Sequence, residues 1–393
     1  MNAHFTFHPV YNRILILLFL GVLFLPPLKM ILSPEARWST AEQRVLTPRP
    51  TPPADIKQLG TFFSQTDNYL KDHFGFRDVF IHSYQQEMER HFNQIGVNAP
   101  VLKGLDGWYF FTGDKVLEDF RGETPLSHEQ LEQWLAAQEK KASWLQQQGI
   151  RYILAAGPDK QSIYPEYLTE NAMEVKGISR FEQMLTALDQ HLPPYLVNLH
   201  SVLRQAKGEK NLYYKNDTHW NILGGYLAFQ AIFKRITEMF PAKTFKTNFA
   251  FTEDVPGING NTGHYGDLAR MLMKEKELAE PSPKLQKFQP CGHFLPFTYH
   301  LSNITSDPGR PSFAKGCNQA ELTAVVFRDS FLVALEPFFS ENFKQVVYLW
   351  KEYDQKNIEE IMTSFKPDIV IELTVERFFF NSVTSQPESQ PGR

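Results

Sequence analysis

The pattern of apolar and polar positions changes character several times along this chain. Near the start, "ILILLFLGVLFLPPLKMIL" (Ile14–Leu32) is an almost unbroken apolar run with Lys29 as its only charge. Residues from about Ser33 to Asp55 are rich in Pro, Arg, Thr and Ala and read as an extended stalk. Between Leu59 and Gln94 apolar residues return at helical spacing, interrupted around Gly75, which predicts two helices. "LKGLDGWYFF" (Leu102–Phe111) predicts a short hairpin turning at Asp106–Gly107.

From Ser127 onward helical and strand periods alternate. Ser127–Gln148 predicts a helix, with Ser127 as N-cap and Glu129–Gln130 in its first turn. Predicted strands are Arg151–Gly157, Tyr195–Leu199, Leu322–Phe327, Gln345–Trp350 and Asp368–Leu373. Predicted helices between them are Phe181–Gln190, Ile222–Phe240, Phe331–Phe343 and Ile358–Phe365. Such alternation implies an α/β fold with a mostly parallel sheet covered on both faces. Ligands in these folds sit at the carboxyl ends of the strands. Residues from about 245 to 315 lack the rhythm and read as a long insertion over the site. The polar, Pro-containing tail, 383–393, reads as disordered.

A length of 393 residues allows one large or two modest domains. A net charge of -4 and no Lys/Arg run or zinc-finger spacing argue against nucleic acid as a partner. The apolar run changes the picture more. With Lys29 snorkelling, it approaches the length of about 20 residues that a bilayer span needs. No clear small-x-small cleavage site follows it, so residues 1–32 read first as an uncleaved membrane anchor and second as a signal peptide. Arg13 before the run favours a periplasmic catalytic part. In an oxidising compartment Cys291 and Cys317 are a disulfide candidate. With His293 and His300 they could also be read as a zinc site, although the spacing matches no familiar template.

The candidate chemistry lies in two short motifs. "AVVFRDSFLVALEPFF" (Ala324–Phe339) puts Ser330 where a strand meets a predicted helix start. Free N–H groups and the helix dipole there would favour an oxyanion, although Ser is also a common plain N-cap. "NDTHWN" places Asp217 and His219 two apart, so in extended backbone their side chains share one side. Asp217 could then orient His219, and His219 could act as base for Ser330. Trp220 would pack behind this loop or line the pocket. Lys160 and Ser162, just after the Arg151–Gly157 strand, are candidates for substrate contact. In the insertion, the backbone at Gly266 and Asp267 is a candidate oxyanion donor.

"NDTHWN" with "GGYLAF", then "FRDSF" over a hundred residues later, resembles the SGNH-hydrolase-like domain of the alginate O-acetyltransferases of AlgJ/AlgX type and their DHHW relatives. "EQRVLTPRP", "YLKDHFGFRD", "GLDGWYFF", "GPDKQSIYPEYL", "YGDLARML" and "KPDIVIELTVERFF" agree in order, so the resemblance runs from about Glu42 to Phe380. It implies an SGNH-like α/β/α sandwich over 101–382, preceded by the anchor and a stalk with a helical lead-in over 33–100. Ser330 would be the nucleophile, His219 the general base and acid, and Asp217 its orienting partner, with no metal and no cofactor. Arg328 stands where many members carry Gly, which leaves the oxyanion donors open. Asp329 becomes a turn-stabilising residue and Arg377 a structural ion-pair partner.

The implied activity is acetyl transfer to an exopolysaccharide, through an acetyl-serine, at the periplasmic side of a bacterial inner membrane. A multi-spanning membrane acyltransferase partner would supply the acetyl groups. An acetyl esterase with the same three residues is one rival reading. A non-catalytic polysaccharide-binding subunit of an export complex is another.

Overall fold

The computed structural model describes residues 9–33, 36–39, 44–92, 99–173, 175–189, 191–208, 210–252, 263–299, 301 and 309–384. The expected disordered tail therefore lies outside the described residues from 385 onward, as does His300. The chain divides into two units, Met1–Val101 with Ala269–Glu277, and Leu102–Leu268 with Leu278–Arg393.

In the first unit, helix α1 (Pro9–Leu32) begins earlier than the apolar run suggests, with Pro9 at its start. Proline is tolerated there because the first N–H groups of a helix lack intrahelical partners in any case. Its Val10–Leu32 portion is long and apolar enough to cross a membrane. Helices α2 (Leu59–Asp72) and α3 (Arg77–Phe92) follow, broken near Gly75 as predicted. Thr47 ties the preceding segment to α2, its N–H and hydroxyl both donating to Asp72 at 2.8 and 2.7 Å.

The second unit is built on a seven-stranded sheet. Its strands are β1 (Arg151–Gly157), β2 (Leu196–Val197), β3 (His293–Leu295), β4 (Phe313–Gly316), β5 (Thr323–Arg328), β6 (Gln345–Trp350) and β7 (Ile369–Val375). They lie in the order β2-β1-β7-β5-β6-β4-β3. The pairings from β2 to β6 are parallel, and β4 pairs antiparallel with both β6 and β3. The sheet is therefore mixed, a parallel block carrying two antiparallel strands at one end. The two extra strands come from inside the supposed insertion. They are short and carry His293 and Lys315, so they give no apolar run to read.

Residues of the inner strands alternate between the two faces. Ile153, Ala155, Val326 and Ile371 join one apolar cluster, while Tyr152, Leu154, Val325 and Val370 join the other. Burial on both faces is why these strands read as continuous apolar runs. Helices cover each side: α4 (His128–Gln147), α5 (Arg180–Ala187), α6 (Leu199–Ala206), α7 (Ile222–Met239) and α8 (Gln355–Met362). Leu203 of α6 and Phe229, Ile232, Phe233 and Ile236 of α7 pack on the first cluster's side. Trp134 of α4, Phe181 of α5 and Ile358 of α8 pack on the other. Ser127 caps α4 with the predicted reciprocal box to Gln130. Asp106 and Gly107 turn with φ of 51° and 78°, the positive pair a tight hairpin turn needs.

The predicted helix Phe331–Phe343 is replaced by a 3-10 turn, Ser330–Ala334, and a four-residue α-helix, Glu336–Phe339. Pro337 near the start of that short helix has no N–H to continue a ladder from the preceding turn. The helix dipole expected beside Ser330 is accordingly missing.

Candidate functional site

Ser330 stands two residues beyond the carboxyl end of β5, inside the parallel block. Asp329 fixes the turn: its Oδ1 accepts from the Phe331 N–H at 2.8 Å and its Oδ2 from the Val375 N–H at 2.6 Å. Asp329 thus locks the serine turn to the end of the neighbouring strand β7. Burial raises its pKa, against those two N–H donors.

The segment Tyr213–Trp220 forms a tight loop closed by a bridge between its ends. Asn221 ends the loop and starts α7, its Oδ1 accepting from the Leu223 and Gly224 N–H groups at 2.9 and 3.1 Å. Inside the loop, Asp217 Oδ1 accepts the His219 N–H at 2.9 Å. This is an Asx turn, so the two side chains meet through a bend, and not through the extended backbone predicted from their spacing.

The geometry brings Asp217, His219 and Ser330 together. His219 Nδ1 lies 2.6 Å from Asp217 Oδ1, and Nε2 lies 2.7 Å from Ser330 Oγ. Burial would push the His219 pKa down. The Asp217 charge and hydrogen bond, with help from Asp267, instead push it up to about 9. Burial would likewise raise Asp217, but His219 and hydrogen bonds from both His219 and His264 hold it well below the usual carboxylate range. Such an array can move a proton between a serine hydroxyl and an imidazole, with a carboxylate stabilising the imidazolium.

Other candidates from the sequence take different places. Trp220 is buried behind the loop, its Nε1–H donating 2.9 Å to the Phe331 carbonyl. Lys160 is buried too, and it braces the loop where substrate contact was expected. Its Nζ donates to the carbonyls of Tyr214, Lys215 and Asp217 at 3.0, 3.0 and 2.6 Å. Burial pulls its pKa to about 8, against the attraction of Asp217, Asp267 and Glu280. Ser162 is also buried and hydrogen-bonds Glu376. Arg328 turns its guanidinium onto the Trp350 ring, 4.1 Å from the centroid, and donates 2.9 Å to the Pro311 carbonyl. Gly266 presses against Asn216, where an added Cβ would stand 2.0 Å from the carbonyl oxygen. Asp267 supports the loop from the same side: its N–H donates to Asp217 Oδ2 at 3.1 Å and its Oδ1 accepts the Thr218 N–H at 2.7 Å. Arg377 pairs with Asp159.

Cys291 and Cys317 form a disulfide, so neither offers a thiolate and the zinc alternative falls. Asp217, His219 and Asp267 each bring a possible metal-ligand atom within 4.8 Å of the others. All three residues take part in the hydrogen bonds just described. Sequence reasoning missed His264, whose Nε2 lies 2.7 Å from Asp217 Oδ2, and Glu280, which accepts from the N–H groups of Lys215 and Asn216 at 3.1 and 2.9 Å. Neither belongs to a periodic stretch, and a lone His or Glu in a loop carries no signal.

Known proteins resemble parts of this chain. Residues 101–291 match the family of the SGNH hydrolase-like domain of acetyltransferase AlgX. That segment contains Asp217 and His219 but stops short of Ser330. The probable alginate O-acetylase AlgJ of Pseudomonas aeruginosa is 27% identical over 196 residues, 48% of this chain and 45% of that protein. Its counterpart in Pseudomonas putida is 28% identical over 173 residues, 44% of this chain and 42% of the relative. The chain therefore spans less than half the length of these curated relatives. The structure of Bacillus cereus PatB1 is similar in fold, at TM-score 0.52 and 17% identity, over 71% of this chain and 96% of that one. By the matched segment and these relatives together, the chain is similar to the AlgJ/AlgX-like proteins and their SGNH hydrolase-like domain.

Proposed function

We propose that this protein is an O-acetyltransferase that acetylates hydroxyl groups of an exopolysaccharide through Ser330, His219 and Asp217. One observation carries the proposal: the continuous hydrogen-bonded run from Ser330 Oγ to His219, 2.7 Å, and on to Asp217, 2.6 Å. Neutral His219 accepts the Ser330 proton at Nε2 as Oγ attacks the acetyl carbonyl of the donor. The donor's acyl bond breaks, and the imidazolium returns that proton to the leaving group. A sugar hydroxyl then gives its proton to His219 and attacks the acetyl-serine, and Ser330 departs with the proton. Asp217 accepts the Nδ1–H throughout and stabilises the imidazolium.

On this reading α1, with residues 1–32, anchors the chain in a bacterial inner membrane, and 33–100 forms the stalk and lead-in. The catalytic domain, 101–382, stands in the periplasm and receives acetyl groups from a multi-spanning membrane acyltransferase. An alginate-like polymer is supported by the relatives, which are probable alginate O-acetylases.

Incubating the purified protein with an activated acetyl ester, with and without an acidic oligosaccharide, tests the reaction. Acetylated oligosaccharide is expected from the wild type and none from Ser330→Ala. Ester hydrolysis with no acetylated sugar would replace transfer by an esterase activity. Unchanged polymer acetylation in cells carrying Ser330→Ala would leave a non-catalytic export subunit.

A further inference from the structure

The Asp217 carboxylate has two ends, and the triad uses only one. Oδ1 faces His219, taking both its backbone N–H and its Nδ1. Oδ2 lies 2.7 Å from His264 Nε2 and accepts the Asp267 N–H at 3.1 Å. His264 is itself held. Its ring stacks on Tyr214, with centroids 3.5 Å apart and planes within 8°. Its N–H and carbonyl exchange hydrogen bonds with the Glu280 backbone at 2.7 and 3.3 Å. The Glu280 carboxylate in turn holds the N–H groups of Lys215 and Asn216, one residue before Asp217.

We propose that His264 is a positioning residue. By donating its Nε2–H to Oδ2 it stops the carboxylate from rotating and keeps Oδ1 on His219 Nδ1. The proposal rests on the reading of Ser330, His219 and Asp217 as the reacting set. A carboxylate held at both oxygens cannot swing away when the imidazole charges and discharges, so each turnover begins from one geometry. Misplacement by about 1 Å in such a set costs up to about 100-fold in rate. Ionisable groups facing His264 are Asp217, across the hydrogen bond, Tyr214, stacked on its ring, and Glu280, paired with it through the backbone.

The test compares acylation of Ser330 by p-nitrophenyl acetate in the full-length wild type, Ser330→Ala, His264→Phe and His264→Gln. Phe keeps a ring against Tyr214 but has no N–H, while Gln keeps a donor near the Nε2 position. Acylation is expected to slow by about 10- to 100-fold in His264→Phe with KM little changed, and His264→Gln should recover most of the rate. Equal rates in His264→Phe and wild type would overturn the proposal, and so would equally slow Phe and Gln variants. A wild type that labels no faster than Ser330→Ala would instead overturn the underlying reading of Ser330. A second readout needs no variant: nitrogen NMR of the wild type should find the His264 proton on Nε2. The opposite tautomer, protonated only on Nδ1, would remove the donor and the proposal with it.

Discussion

Trp220 and Phe331 are bound to one another: the indole N–H donates 2.9 Å to the Phe331 carbonyl, and the two rings meet edge-on with centroids 5.0 Å apart. Each follows directly after a member of the proposed triad, His219 or Ser330. The contact therefore sets the spacing of two groups that lie 111 residues apart in the chain. Trp220→Phe keeps a ring and removes the donor, leaving a buried carbonyl unsatisfied. A loss of about 1–3 kcal/mol in unfolding free energy is expected, measurable in urea. Activity should fall further than the residual folded fraction accounts for, because the base and the nucleophile drift apart.

The His219 pKa sets a pH profile. It is raised from the ordinary 6.5 to about 9, and the base works only when neutral. Activity per unit of free enzyme, kcat/KM, should therefore climb with pH toward about 9. The stability effect has the opposite sign. A pKa higher in the folded protein than in the unfolded chain gives stabilisation that is complete below 6.5 and is lost as pH rises through about 9. Asp217→Asn should move the kinetic inflection back toward 6.5 and lower kcat by an amount on the order of 10⁴-fold. A pH–rate series and melting curves on both proteins check the two signs.

Gly225 is the point where α7 touches the serine turn. A Cβ there would stand 2.6 Å from the Ala334 Cβ and 3.2 Å from its carbonyl carbon and oxygen. Backbone faces part of this contact, so one side must move. Gly225→Ala should cost about 1–3 kcal/mol, the usual penalty for overpacking. It should also lower kcat, since the turn that shifts carries Ser330. Lengthening the side chain further, to Val, should make both effects larger.

The disulfide closes a loop between residues 26 apart in sequence. Replacing Cys291 and Cys317 by Ser should cost about 2–4 kcal/mol in chemical denaturation, chiefly by freeing the unfolded chain. The kinetic constants of the protein that remains folded should change little, since neither cysteine touches the triad. Thermal melting under reducing conditions should reproduce the loss in the wild type.

The sequence revealed most where a local rule carried the information. Ser127 signalled its cap, Asp106–Gly107 its turn, and the apolar run Leu322–Phe327 a strand. Asp217, His219 and Ser330 stood out as candidates by residue type and by the family resemblance, and the fold brings the three within hydrogen-bond reach. Their supports were not. Lys160 is an ordinary lysine until its ammonium is seen to gather three carbonyls, and His264 is an isolated histidine until the fold delivers it to Oδ2. Strands β3 and β4, at one end of the sheet, were hidden because pairing, and not periodicity, holds them there. The serine turn was misread as a helix because its apolar spacing is helical, whereas the short elements on either side of Leu335 follow from Pro337.

The order of strands also dictates when the site can exist during synthesis. Strand β7 follows both β1 and β5 in the chain yet lies between them in the sheet, so their native places are joined only once it has been made. Asp329, next to Ser330, likewise waits for the Val375 N–H at the far end of β7. A nascent chain that has already released His219 and Ser330 from the ribosome thus still lacks the wedge that sets them in place. Long-range pairing of this kind makes for slow folding and a late, all-or-none appearance of activity. Fragments ending before Ile369 should carry every triad residue and no function.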